Sequence, residues 1–128
     1  MKKLACVAAV LLGAMSPALF AQSSDSFKPL KAAEYIIFSG NSINEPEPPS
    51  KKDRKLTVVF QGKAAKEVFD EIGPDERDIC SPDKGDRQRR KGGVECRYSA
   101  GDKAANGSYQ CWVGMDLKTG KSEATVGC

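Results

Sequence analysis

Four cysteines in the last part of the chain limit most strongly what this sequence can fold into. Cys80, Cys96, Cys111 and Cys128 are separated by 15, 14 and 16 residues. An even number of cysteines in a small exported chain is typical of disulfide bonds. The paired C-x-x-C spacings of a four-thiolate zinc site are missing. We therefore expect two disulfides and no metal centre.

The first 21 residues have the pattern of a secretory signal peptide of bacterial type. Lys2 and Lys3 precede an apolar stretch over residues 4–15, and residues 18–21 supply small side chains for cleavage. The stretch is shorter than the roughly 20 apolar residues that a membrane-spanning helix needs. We expect a mature chain without a transmembrane segment, located in the periplasm or secreted, from which Cys6 has been removed.

The composition excludes several classes of function. The 128 residues include 20 Lys and Arg, 17 Asp and Glu, and no His. After removal of Lys2 and Lys3 the net charge is 18 − 17, or +1, which argues against a nucleic-acid partner. Without His there is no Ser/His/Asp or Cys/His catalytic arrangement and no His-ligated metal. We expect no cofactor.

The apolar core is small for the length of the chain. Leu, Ile, Val and Phe account for 18 of the 107 residues that follow the signal peptide. This fraction is typical of chains that bury little surface. Two disulfides, at about 2–4 kcal/mol each, would supply a large share of a typical stability of about 5–15 kcal/mol.

The chain divides into three segments: a signal peptide over residues 1–21, an N-terminal segment with a Pro-rich loop over residues 22–54, and a disulfide-bonded core over residues 55–128. Residues 35–38 form an apolar run that fits either a strand or the end of a helix. The pattern predicts a strand over residues 56–61 and a helix over residues 63–72. We expect Gly73 to end the helix in the left-handed conformation, before Pro74.

The last third alternates between apolar and polar residues and predicts three strands. These are centred on residues 94–98, 109–115 and 124–128, while residues 75–92 are charged and rich in turn formers. The predicted fold class is a small disulfide-stapled α+β domain, with one short helix packed on an antiparallel β-sheet.

Strand register restricts which cysteines can pair. A two-residue turn at 119–120 would place Cys111 opposite Cys128, and the preceding hairpin would place Cys96 opposite Cys111. Cys96 and Cys128 would then be about 9.6 Å apart, beyond the roughly 7 Å limit for a disulfide. Two connectivities remain: Cys80–Cys96 with Cys111–Cys128, or Cys80–Cys128 with Cys96–Cys111. We favour the first, because it ties the loop after the helix to its nearest strand and closes the C-terminus across the predicted hairpin.

Four side chains are candidates for a binding interface: Trp112, Arg97, Arg89 and Arg90. Trp and Arg are enriched in binding hot spots, and the predicted register places Arg97 diagonal to Trp112. Arg89 and Arg90 belong to the basic run at residues 87–91, which suits an acidic partner. The alternatives are a Trp that covers neighbouring glycines and a basic run that forms a solvated loop.

A cluster of acidic residues is the alternative candidate for a functional site, in this case a catalytic one. Its members are Asp70, Glu71, Asp75, Glu76 and Asp78. Paired carboxylates catalyse glycoside hydrolysis, but they need a cleft and one desolvated carboxyl group. Because this cluster lies at a helix end and in a Pro-containing loop, we interpret it as solvated.

These features favour a non-enzymatic exported binding protein with a protein partner, for example one of the inhibitor or immunity type. The alternatives are a carboxylate-dependent glycan hydrolase and a structural protein of the envelope.

Overall fold

The computed structural model describes residues 27–28, 30, 32–102 and 108–128. The predicted signal peptide, residues 1–21, lies outside the described residues. The elements, in chain order, are β1 (Glu34–Phe38), β2 (Lys55–Gln61), α1 (Lys63–Ile72), β3 (Arg87–Lys91), β4 (Val94–Ser99) and β5 (Ser108–Asp116). The five strands form one antiparallel sheet in the order β1-β2-β5-β4-β3. The α+β class predicted from the sequence is confirmed.

The helix packs on one face of the sheet and forms the core there. Its apolar stripe places Ala65 and Phe69 against Phe60 of β2 and against Cys96 and Cys111 of the two central strands. Both helical residues are fully buried. The stripe follows the 3.6-residue period that the sequence predicted, and α1 contacts β2, β3, β4 and β5 but not β1.

The start and the end of the helix depend on different features. Gly62 has φ of +73° and makes the turn from β2 into α1. Gly73 has φ of −38°, so the predicted left-handed conformation at this residue is wrong. The last helical carbonyls are instead satisfied by Arg89, whose Nη1 donates to the carbonyl oxygens of Phe69 and Asp70. A Cβ atom at Gly73 would lie 3.0 Å from this guanidinium, so the missing side chain makes room for the cap.

The residues before β2 are tied to the sheet. Residues 35–38, which the sequence left open between strand and helix, lie in strand β1 and pair with β2. In the Pro-rich loop, Ser39 and Glu47 exchange two backbone hydrogen bonds. Asp53 accepts from the Gly40 amide at 2.8 Å, which is the main cause of its lowered pKa.

The C-terminal segment crosses the face of the sheet that is opposite the helix. It leaves β5 through a turn, and the Thr57 hydroxyl donates to the Thr125 hydroxyl at 2.6 Å in a buried position. The Ile43 amide donates to the carbonyl oxygen of Thr125, and Asn44 Nδ2 donates to that of Gly127. These bonds hold the segment flat against the sheet.

The predicted strand over residues 124–128 is wrong. Only one isolated bridge, Met115 to Ser122, continues the pairing beyond the turn. The physical reason is that β5 lies between β2 and β4, so both of its hydrogen-bonding edges are already occupied. A third strand from the same end of β5 has no free edge to join.

The same geometry overturns the favoured disulfide connectivity. The structure pairs Cys80 with Cys128 and Cys96 with Cys111, with Cα–Cα distances of 5.3 and 4.1 Å. The preference for Cys80–Cys96 with Cys111–Cys128 depended on a C-terminal hairpin that does not form. The predicted placement of Cys96 opposite Cys111 is correct.

Candidate functional site

Three of the four candidate interface residues lie together on the sheet face opposite the helix. Arg90, Glu95 and Trp112 are direct neighbours across β3, β4 and β5. Arg97 lies two residues after Glu95 on the same face. We call this group of four side chains the Trp112 patch.

A buried carboxylate holds the two arginines of the Trp112 patch. Glu95 is only 4 % exposed. Its Oε1 accepts from Arg97 Nε at 2.7 Å, and its Oε2 accepts from Arg90 Nε at 2.9 Å. Hydrogen bonds between charged groups are stronger than neutral ones, and they fix the planar guanidinium groups in one orientation.

Arg97 is also fixed by two further neighbours. Its guanidinium carbon lies 5.1 Å from the centroid of the Trp112 ring, within the range of a cation–π contact. Its Nη2 lies 3.7 Å from Cys80 Sγ, which is bonded to Cys128. About one third of each arginine side chain stays accessible (31 % for Arg97 and 33 % for Arg90), and Trp112 is half-buried. The patch therefore presents an aromatic surface and two oriented cations to solvent.

The fourth candidate, Arg89, lies on the helix face and is separated from the patch by the sheet. Its guanidinium stacks over Phe69 at 4.2 Å, and its Nε donates to Asp75 at 2.6 Å. Only 15 % of its side chain is exposed. Because it also caps helix α1, Arg89 has a structural role in addition to its charge.

The basic run is neither a loop nor fully solvated. It forms strand β3, with Arg87 and Arg89 directed to the helix face and Arg90 to the Trp112 patch. Arg87 and Arg89 share Asp75 as their partner, and their hydrogen bonds lower the pKa of this carboxyl group. The loop predicted for residues 87–91 is therefore wrong, since sheet pairing places the arginines in contact with aromatic and acidic partners.

The acidic cluster is dispersed over structural contacts. Asp70 pairs with Lys66, Asp75 with the arginines of β3, and Glu76 accepts from Gln88 Nε2. No group of three His, Cys, Asp or Glu side chains is close enough to hold a metal ion in the part of the chain that the structure describes. Hydrogen bonds from Arg87 and Arg89 lower the pKa of Asp75, which makes this carboxyl group a poor proton donor for hydrolysis.

A cavity of about 260 Å³ borders the Trp112 patch on the side of Arg97. It lies between the loop after Ile79 and strands β3 and β4, and Asp86 is one of its lining residues. The Ser81 hydroxyl and the Ala100 amide donate to Asp86 and lower its pKa. Asp86 is therefore held as a carboxylate, which can accept hydrogen bonds but is unsuited to act as a general acid.

The predicted position of Arg97, diagonal to Trp112, is correct, whereas the position of Arg90 was missed. Arg90 was assigned to a loop, so its pairing with Glu95 was not predicted. A strand assignment for residues 87–91 would have revealed it, because Arg90 then lies directly opposite Glu95.

Comparison with known proteins adds no family to this description: no protein-family model, curated protein or solved structure matches the chain. No helix of the described ranges is long and apolar enough to cross a membrane.

Proposed function

We propose that the chain is a non-enzymatic, exported binding protein of the inhibitor or immunity type, and that its protein partner docks on the Trp112 patch. The observation that carries the proposal is the stacking of a half-exposed Trp112 with Arg97, whose other side is held by the buried Glu95. Trp and Arg are the residues most enriched in interface hot spots.

Preorganisation supports the proposal. An arginine side chain normally loses rotamer freedom when it is immobilised in a complex, at a cost of about 0.5–1.5 kcal/mol. Glu95, Trp112 and the Cys80–Cys128 disulfide already restrict Arg97 in the free protein. A partner that binds here avoids most of this cost.

The charge of the patch indicates the chemistry of the partner. Arg90 and Arg97 carry two positive charges, and Glu95 balances one of them. The accessible parts are guanidinium groups and an indole ring. They suit a partner that presents a carboxylate next to an apolar or aromatic side chain.

Two disulfides support the exported location. Disulfides persist in oxidising compartments and are rare in the cytosol of mesophiles. One of them, Cys80–Cys128, fixes the loop and the C-terminal segment beside the patch. The periplasm or the external medium is the location in which this arrangement is maintained.

The proposal is tested by quantitative affinity capture from an envelope extract, with the disulfide-bonded protein as bait. We expect one partner to be retained specifically, and its apparent affinity to fall about tenfold or more in Trp112→Ala and in Arg97→Ala. Matched controls are Arg54→Ala, an exposed arginine of the loop between β1 and β2, and Leu117→Ala, an exposed apolar residue in the turn after β5.

Both controls should retain the partner at the affinity of the unmodified protein. Thermal unfolding and a free-thiol assay verify that each variant is folded and oxidised. If folded Trp112→Ala and Arg97→Ala retain every partner at full affinity, the proposal is wrong. Hydrolysis of a glycan by the purified protein would instead support the alternative enzymatic function.

A further inference from the structure

The two edges of the sheet differ sharply in chemistry. The outer strand β3 has the sequence RQRRK, and four cations protect this edge from pairing with another strand. The outer strand β1 has the sequence EYIIF, with a single charge at its first residue and no proline. Proteins normally block a free apolar edge, because it is a template for pairing with another chain.

Three of the four apolar side chains of β1 are exposed, on both faces of the sheet, and only Phe38 is buried. Tyr35 is 74 % and Ile37 43 % exposed on the helix face, and Ile36 is 36 % exposed on the other. Helix α1 does not reach β1. Ile37 pairs with Leu56 of β2, and Leu56 pairs with Met115 of β5. Met115 is exposed as well, so the apolar surface extends from the edge strand toward the centre of the sheet.

The backbone of β1 offers a short and defined set of hydrogen-bonding groups. The carbonyl oxygen of Arg54 accepts a hydrogen bond from the Leu117 amide and therefore points toward β5. Because the backbone groups of successive residues point to alternate sides of a strand, those of Lys55, Thr57 and Val59 face β1. Their partners, Phe38, Ile36 and Glu34, therefore face β2, and the amides and carbonyls of Tyr35 and Ile37 face outward. At the C-terminal end of β1, the amide and carbonyl of Ser39 also face outward, but both already form hydrogen bonds with the backbone of Glu47.

We propose that β1 pairs antiparallel with β1 of a second copy, about a two-fold axis at Ile36. In this register Tyr35 of one copy lies opposite Ile37 of the other, and each pair exchanges two hydrogen bonds. If the register shifted by two residues in one direction, the backbone of Ser39 would have to form hydrogen bonds with the second copy, but these groups are already bonded to Glu47. A shift in the other direction would require Ala33, next to Ala32, whose φ of +52° interrupts the extended backbone.

The second copy is the occupant that these features favour. The pairing places Tyr35 against Ile37 on one face and Ile36 against Ile36 on the other, and it places Glu34 opposite Phe38 rather than opposite a second Glu34. Pairing of β1 with the cationic β3 would bury arginines against isoleucines and would not close into a dimer. The two-fold pairing gives one ten-stranded sheet, with both helices on one face and both Trp112 patches on the other.

The test is a measurement of molar mass by sedimentation over a concentration series, on the protein with both disulfides formed. We expect a monomer–dimer equilibrium for the unmodified chain. Ile37→Pro removes an outward-facing amide and the isoleucine side chain beside it but no hydrogen bond between β1 and β2, and proline is tolerated at such positions of an edge strand. We expect this variant to be folded and monomeric. The control Ala124→Lys, at an exposed residue of the C-terminal segment, should still form dimers.

A charge pair tests the register. Ile36→Lys and Ile36→Glu should each lose the dimer, because the two-fold axis places like charges at adjacent positions. A mixture of the two should recover a heterodimer. A monomer at every concentration would overturn the proposal, and a strand of a different protein would then be the candidate partner of β1. A dimer that persists in folded Ile37→Pro would overturn it as well, as would a mixture that stays monomeric.

Discussion

The hydroxyl of Thr57 lies 2.6 Å from the hydroxyl of Thr125, and both residues are 2 % exposed. This contact joins the second strand of the sheet to the C-terminal segment, 68 residues later in the chain. The same C-terminal segment ends three residues later at Cys128, which forms the disulfide with Cys80. The position of the loop beside the Trp112 patch therefore depends on a hydrogen bond and a disulfide at the two ends of this crossing.

Replacement of both hydroxyls should cost less than the sum of the two single replacements. Thr57→Val or Thr125→Val leaves one buried hydroxyl without its partner, and we expect each to lower the free energy of unfolding by about 1–3 kcal/mol. The double variant should lose less than the sum, because it leaves no buried hydroxyl unpaired. Urea unfolding of the four proteins in a double-mutant cycle measures this coupling. Strict additivity would show that the contact contributes nothing.

Gly114 should not tolerate a side chain. A Cβ atom at this position would overlap the carbonyl oxygen of Glu123 and lie against the side chain of Thr125. We expect Gly114→Ala to destabilise the fold by about 1–3 kcal/mol through overpacking. Gly101→Ala is the matched control, since a Cβ atom there meets no atom of the described residues within 4 Å. Equal unfolding free energies for the two variants would contradict the crossing of the C-terminal segment over β5.

The two disulfides should differ in their rates of reduction. Cys96 and Cys111 are fully buried beneath helix α1, whereas Cys128 is exposed and Cys80 half-buried. Thiol exchange requires access to a sulfur, so Cys80–Cys128 should be reduced first in the native protein. Alkylation at graded reductant concentration, followed by peptide mass spectrometry, identifies the order. Simultaneous modification of all four cysteines in a folded sample would contradict it.

Stability should decrease in acid, and Asp75 should contribute to the decrease. Hydrogen bonds from Arg87 and then Arg89 hold the pKa of Asp75 below its ordinary value. The stabilisation is therefore complete above the unfolded-state pKa of about 3.9, and it is lost as the pH falls through the lower folded-state pKa. The free energy of unfolding from pH 7 to pH 2 should depend less on pH in Asp75→Asn. Asp78→Asn, at an exposed residue of the same loop, should follow the unmodified protein; equal profiles for all three would exclude the role of Asp75.

The central part of the fold was predictable from local pattern. Alternation places Val94, Cys96 and Tyr98 on one face, and the same rule applied to β5 gives the register that places Cys96 opposite Cys111. Helix α1 was recognisable because its apolar residues recur at helical spacing. These elements are determined by burial of one face, which leaves a clear periodic signal in the sequence.

The edges and the C-terminus were not predictable, for different physical reasons. Strand β3 contains no apolar residue, because its helix-face positions are filled by arginines that stack on Phe69 and pair with Asp75. A search for periodic apolar residues therefore cannot recognise this strand. The C-terminal residues alternate as a strand does, but whether they find an edge depends on strand order, a non-local property. The grouping of Arg90 with the Trp112 patch was missed for the first of these reasons.

The most direct test of the binding function is photo-crosslinking in living cells from Gln110. This residue is half-buried, and it lies opposite Arg97 on the face of the Trp112 patch. A photoreactive side chain at position 110 should give one discrete protein adduct, and the adduct should disappear when Trp112→Ala is added. The same probe at Glu71, on the exposed side of helix α1, should give no such adduct. A probe at Gln110 that yields none, while Glu71 yields a discrete adduct unaffected by Trp112→Ala, would contradict the account.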